Sequence, residues 1–201
     1  MKITESIKKL REKAGAGIME CKSVLTETGG DIDKALVLLR KKGLLTARQK
    51  ADRVAKEGRV EIYLHTNAKI GVLIEVNCET DFVAKCDDFR EFTRNLAIQV
   101  AASNPLYISK KDISPEEIEK ERDIIRAQIK DKPENIIEKI VDGKIQKYYE
   151  EVCLLEQPFV KDDKIKINDC LNSIVGKIRE NIVIKRFIRY ELGERLPKDA
   201  D

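Results

Sequence analysis

The 201-residue chain predicts an α+β fold: a three-helix module over residues 1–45, a helical linker over 46–57, and a core over 58–201. In that core a small antiparallel sheet packs on helices, and a helical hairpin projects at about 114–154. Three patterns predict this. Apolar side chains recur at helical spacing through the first part, the period switches to two from Val60 to Val76, and a strongly charged helical stretch opens at Ser114.

In the first helix, Thr4 to Lys13, the residues Ile7, Leu10 and Ala14 recur at helical spacing and Thr4 is placed to cap the N-terminus. Gly15 and Gly17 interrupt it. Ile18, Cys21 and Leu25 form the stripe of a second helix that ends at Gly29-Gly30. Asp31 caps a third, in which Ile32, Ala35, Leu36 and Leu39 fall at i, i+3, i+4 and i+7 before Gly43 closes it. Leu44 to Glu57 is polar and basic with alanines, which suits a helical linker leading to Gly58. Val60, Ile62 and Leu64 alternate with Glu61 and Tyr63, and Ile70, Val72, Ile74 and Val76 alternate again beyond a Thr66-to-Lys69 turn, so the pair forms a hairpin.

Cys86 to Ser103 carries Phe89, Phe92, Leu96 and Val100 on one stripe, with Ala97, Ile98, Ala101 and Ala102 as a second face, and is the predicted core helix. Ser114-Pro115-Glu116-Glu117 combines an N-cap, a first-turn proline and first-turn acids. The charged helix it starts carries a thin stripe of Ile118, Ile125 and Ile129 and breaks at Lys132-Pro133; helices from about Glu134 to Val141 and Lys144 to Leu154 fold back against it. A short helix around Asp169 to Val175 then leads to the β-branched and aromatic run Ile182 to Leu192, a third strand.

Composition narrows the function. Hydrophobic residues are 42% and charged residues 37%, enough for a core beneath a well-solvated surface. Aromatics are 5% and tryptophan is absent, which argues against reading single-stranded nucleic acid by stacking. The net charge of +3 conceals an uneven spread: residues 1–56 hold 14 Lys and Arg against 7 Asp and Glu, and the remainder is net acidic. That basic quarter fits either an acidic partner surface or solvated helix flanks. Five cysteines without a CxxC pair or a metal-ligand spacing suit a reduced cytoplasm, and Met1 to Lys13 carries charges where a secretory core would lie. No apolar run is long enough to span a membrane.

No catalytic constellation, cofactor motif or metal set is expected. His65 is the single histidine and sits beside a turn, Gly15-Ala16-Gly17 is too short for a phosphate cradle, and Asp87-Asp88 falls at a helix N-terminus where negative charge is favourable anyway. The odd feature is the connection Asn77 to Lys85 between the second strand and the core helix, which sets Phe82 and Val83 among polar residues. Either the two fold under as the first core residues of the helix, or they protrude and Phe82 serves as an aromatic anchor for a partner's pocket; spacing leaves both open.

Cys78-Glu79-Thr80-Asp81-Phe82-Val83-Ala84-Lys85 and Lys9 to Lys22 resemble the two signature stretches of the translation elongation factor Ts family. Gly29-Gly30-Asp31, Gln157-Pro158-Phe159-Val160 and Arg186 to Gly193 resemble that family in the same order, so the resemblance covers nearly the whole chain. It implies a ubiquitin-associated-like N-terminal module and guanine nucleotide exchange on elongation factor Tu, the GTPase that carries aminoacyl-tRNA to the ribosome. By resemblance, Thr80, Asp81, Phe82 and Val83 form the tip that enters the GTPase and dislocates Mg²⁺, and Arg11, Gly15, Gly17, Ile18 and Met19 dock the module on it. Ala14 and Ile18 stand where many members carry Thr and Met. The chain has one copy of the core sheet unit where longer members have two, so two chains are expected to pair, giving a 2:2 complex with the GTPase. No enzyme activity, no cofactor, no direct nucleic-acid contact and no membrane association are expected. The competing readings are a basic RNA-binding translation accessory protein and a generic three-helix adaptor.

Overall fold

The structure, a computed structural model, describes residues 3–14, 16–129 and 133–194. Helices α1 (Ile3–Ala14), α2 (Ile18–Glu27) and α3 (Ile32–Lys50) come first, followed by strands β1 (Glu57–Leu64) and β2 (Ile70–Cys78). A short α4 (Asp81–Lys85) precedes the long α5 (Asp87–Ser103); α6 (Pro115–Ala127) and α7 (Glu134–Val152) form the hairpin. Strands β3 (Pro158–Phe159) and β4 (Asp162–Lys166), helix α8 (Ile167–Ile178) and strand β5 (Val183–Glu191) complete the described residues. The main sheet has the order β1-β2-β5, and β3 pairs antiparallel with β4 in a sheet of its own. This is the α+β arrangement expected.

The chain divides into two compact units, each gathered from separated stretches. One comprises residues 1–62, 73–96 and 168–187, the other 63–72, 97–167 and 188–201. In the first, Leu10, Cys21, Val24, Leu25, Ala35 and Leu39 close a core among α1, α2 and α3. Asp31 caps α3 by accepting the Asp33 and Lys34 N–H groups at 3.1 and 3.0 Å. Gly29 and Gly30 take positive φ angles of 63° and 86°, which stop α2 and turn the chain into that cap.

Several expectations are corrected. Thr4 lies inside α1 rather than capping it. Gly43 does not close α3, which runs on to Lys50 and takes up the first part of the expected linker. Gly43 is buried against α8: a Cβ on it would lie 3.1 Å from the Asn172 carbonyl oxygen, and one on Gly176 would lie 3.1 Å from the Gly43 Cα. The glycine is there for close helix contact rather than for a stop. The second half of the hairpin is a single helix through Asp142 and Gly143, not two. Of the expected break at Lys132-Pro133, Lys132 lies outside the described residues, and Pro133 is the N-cap of α7. The β3-β4 ribbon was not expected.

Strand β1 exists where the alternation predicts it, and its apolar side faces outward. Val60, Ile62 and Leu64 are exposed, while Arg59, Glu61 and Tyr63 are half-buried. Beneath β1, Arg59 pairs with Glu61 at 2.8 Å and the buried Thr93 of α5 donates its hydroxyl to Glu61 at 3.3 Å. On β2 the inward residues Val72, Ile74, Val76 and Cys78 are all buried.

In the second unit, Ile125, Val141 and Ile145 form the hairpin's narrow apolar seam. Its outside is laced by ion pairs: Arg122 to Glu138 and Asp142, both at 2.8 Å, and Arg126 to Glu119, Asp123 and Glu138 at 2.8 to 2.9 Å. The buried Gln99 amide donates to Gln157 and to the Pro158 carbonyl, both at 3.1 Å, and its oxygen accepts the Val160 N–H at 2.9 Å, which ties the β3-β4 ribbon to α5.

Candidate functional site

β2 ends at Cys78, the chain bends at Glu79, and Thr80 is extended, with its hydroxyl accepting the Val83 N–H at 3.3 Å and capping α4. This capped helix has five residues and is followed by an extended Cys86, so the strand-to-helix connection is a rigid single turn rather than an open loop. Helical geometry sends its two apolar side chains opposite ways. Phe82 is 79% exposed, whereas Val83 is 6% exposed and enters the core. The alternatives left open by spacing therefore split between neighbouring residues.

Asp81 pairs with Lys85 at 2.7 Å across one turn. The Lys85 hydrogen bond holds the Asp81 carboxyl below the usual carboxylate range, and the same bond raises the lysine. Both groups are exposed, so the turn presents a carboxylate beside a bare aromatic ring.

A residue with no sequence signal holds this turn. The Glu180 carboxylate accepts the Glu79 and Thr80 N–H groups, each at 3.0 Å, and the Thr80 hydroxyl at 2.7 Å. Beside it, Glu79 accepts the Asn181 N–H at 2.7 Å and pairs with Arg53 at 3.4 Å; the Asn181 bond, first, and Arg53 lower its pKa. The buried Asn181 amide donates to the Ala51 and Arg53 carbonyls at 3.2 and 2.7 Å. Below the turn, the Cys78 thiol donates to the Thr80 carbonyl at 3.1 Å, and burial, with the Glu180 charge next, pushes its pKa up to about 11. A hundred residues separate Thr80 from Glu180, so no local pattern could have paired them.

On the N-terminal module, Arg11, Gly17, Ile18 and Met19 are all exposed, while Cys21, Val24 and Leu25 of the same α2 are buried. Met19 is 75% exposed. Gly17, with extended φ and ψ, is the N-cap of α2, which puts Ile18 and Met19 on the first turn, clear of the three-helix core. Gly15, expected in the same group, lies outside the described residues. The four described module residues and the tip belong to the same compact unit.

Elsewhere, His65 lies 3.0 Å from the Tyr63 hydroxyl through Nδ1. Among the described residues no group of three or more His, Cys, Asp or Glu is placed to hold a metal ion, and no helix is long and apolar enough to cross a membrane.

Residues 6–194 match the family model described as Elongation factor TS. The chain belongs to the elongation factor Ts family. Curated members extend the match: the elongation factor Ts of Thermotoga petrophila is 58% identical over 188 residues, covering 94% of each chain. That of Moorella thermoacetica is 54% identical over 197 residues, 97% of each chain, and that of Carboxydothermus hydrogenoformans is 52% identical over 200 residues, 98% of this chain and 92% of its own. The elongation factor Ts family places the chain in the elongation phase of protein synthesis, and both signature stretches lie within the matched residues.

Proposed function

We propose that this chain is a guanine nucleotide exchange factor for elongation factor Tu, and that it works by binding rather than by chemistry of its own. The single observation that carries the mechanism is the bare Phe82 ring on a capped, braced turn. A rigid aromatic offers a large contact area with little conformational entropy to lose on docking. Phe82 enters the GTPase domain with the Asp81 carboxylate beside it, Thr80 and Val83 hold the turn, and the elements that grip Mg²⁺ and the phosphates shift. Exchange requires only that the factor bind the nucleotide-free GTPase more tightly than the GDP-bound form. Release accelerated by about a thousandfold needs a differential near 4 kcal/mol, the scale of one hot spot.

Arg11, Gly15, Gly17, Ile18 and Met19 provide a second contact on the same GTPase, with the basic module assisting approach. The setting is the cytoplasm. Two chains pair to give a 2:2 assembly. The outward Val60, Ile62 and Leu73 of the sheet and the free edge of β5 favour that pairing, because an apolar sheet face and an open edge are both better covered.

The test is stopped-flow release of a fluorescent GDP from elongation factor Tu. The wild-type chain is expected to accelerate release and Phe82→Ala to slow it by about a hundredfold while unfolding at the same temperature as wild type. A wild-type chain without effect on release would sink the exchange reading. Raising the salt separates the RNA-binding alternative, which predicts a steep loss of binding where pocket insertion weakens only mildly.

A further inference from the structure

We infer that Glu180 is a positioning residue for exchange, setting the angle at which the Asp81-Phe82 turn is presented; the inference rests on the exchange reading above. Three donors converge on one carboxylate, two backbone N–H groups and the Thr80 hydroxyl. The hydroxyl has one proton. Giving it to Glu180 leaves a lone pair for the Val83 N–H, so Glu180 orients the cap that starts α4, and Phe82 is the second residue of that helix.

The mount behind Glu180 supports the assignment. Glu180 follows Arg179, a non-glycine residue in the left-handed region with φ of 62°. An L-residue pays for that conformation, and here it turns the chain at the end of α8 toward the tip. Asn181 then fixes the chain on the far side through the Ala51 and Arg53 carbonyls. α8 is itself held over the turns that precede Arg179. Ser173 donates to the Ala14 carbonyl at 3.4 Å, Gly176 meets Gly43 backbone to backbone, and Lys177 pairs with Asp88 at 2.6 Å. Ser173, Gly176 and Lys177 share one face of α8, which ends at Ile178, and the turn at Arg179 then carries Glu180 to Thr80. One strut thus touches α1 and α3 of the docking module, the start of α5, and the tip.

Glu79 is half-buried and Thr80 exposed, so water can replace the carboxylate when it is removed. The loss is therefore expected in the geometry of the tip rather than in the fold. A merely structural Glu180 would lower stability and leave the kinetics of the folded protein alone.

The experiment measures GDP release from elongation factor Tu over a range of factor concentrations, with the full chain as wild type, Glu180→Ala, Glu180→Gln, Thr80→Val and Glu180→Ala/Thr80→Val. Glu180→Ala is expected to lower the maximal release rate by about tenfold, with the half-saturating concentration within about twofold of wild type, because the module still docks. Glu180→Gln keeps the shape and one acceptor oxygen but turns an amino group toward the Thr80 hydroxyl, and is expected to lose about threefold; it carries the test if the alanine variant folds poorly. The double variant should lose less than the two single losses combined, since both remove the bond between the Thr80 hydroxyl and Glu180. Wild-type maximal rates in both Glu180 variants, a raised half-saturating concentration alone, or additive losses would each overturn the positioning role. If wild type itself fails to accelerate release, the exchange reading falls instead, which separates the two failures.

Discussion

Phe82 and Val83 are adjacent in sequence and opposite in environment, so truncating each one should damage a different property. Phe82→Ala removes exposed area and is expected to act on exchange. Val83→Ala opens a cavity beneath the turn and is expected to lower stability to urea by about 2 kcal/mol, read as a shift in the denaturation midpoint at unchanged slope. Which of the two faced outward could not be read from spacing, because a five-residue helix offers no second turn to establish a stripe. The Thr80-to-Lys85 resemblance pointed to the segment as a tip, but the brace beneath it stayed hidden. Glu180 sits among Arg179, Asn181 and Ile182 with no motif around it, and its meaning appears only when α8 and β5 bring it back to the end of β2.

The elements carry their own tests. Gly143 lies within α7 with nothing within 4 Å of a built Cβ, so Gly143→Ala should stabilise the protein by about 1 kcal/mol in urea denaturation, since alanine loses less backbone entropy in a helix. Gly43 and Gly176 also lie within helices, yet a Cβ on either would press on backbone, which is why the same residue type reads as a stop in sequence and works as a contact in space. The hairpin's ion pairs give it a dependence on acid. Hydrogen bonds from Arg126 first, and Arg122, hold the Glu138 carboxyl below its usual range, so its contribution is present above the unfolded carboxylate value and fades as pH falls through the lower folded one. The protection of α6 and α7 amides relative to their intrinsic exchange rates should accordingly fall between about pH 5 and pH 3, ahead of the three-helix core. Strand β1 shows the limit of period-two reading: alternation locates the strand, but its apolar side turns out, and beneath it Glu61 pairs with Arg59 and accepts the Thr93 hydroxyl. The β3-β4 ribbon was illegible for a related reason, since the Gln99 amide that secures it lies on α5, far away in sequence.

For the whole molecule, the outward apolar row makes self-association the expected state, and light scattering at micromolar concentration should report a dimer mass. Ile62→Lys, which places a charge on that exposed row without disturbing the inward face, should shift the population to monomer; a wild-type monomer would remove the 2:2 assembly. The five-residue length of α4 has a further consequence. A helix this short does not persist in water by itself, because the entropy of nucleation outweighs its few internal bonds. The tip's shape is therefore a property of the fold and not of its local sequence. An excised peptide spanning the tip would be a poor decoy for the GTPase, and a small mimic would need a chemical brace in place of the distant carboxylate before its aromatic group could compete.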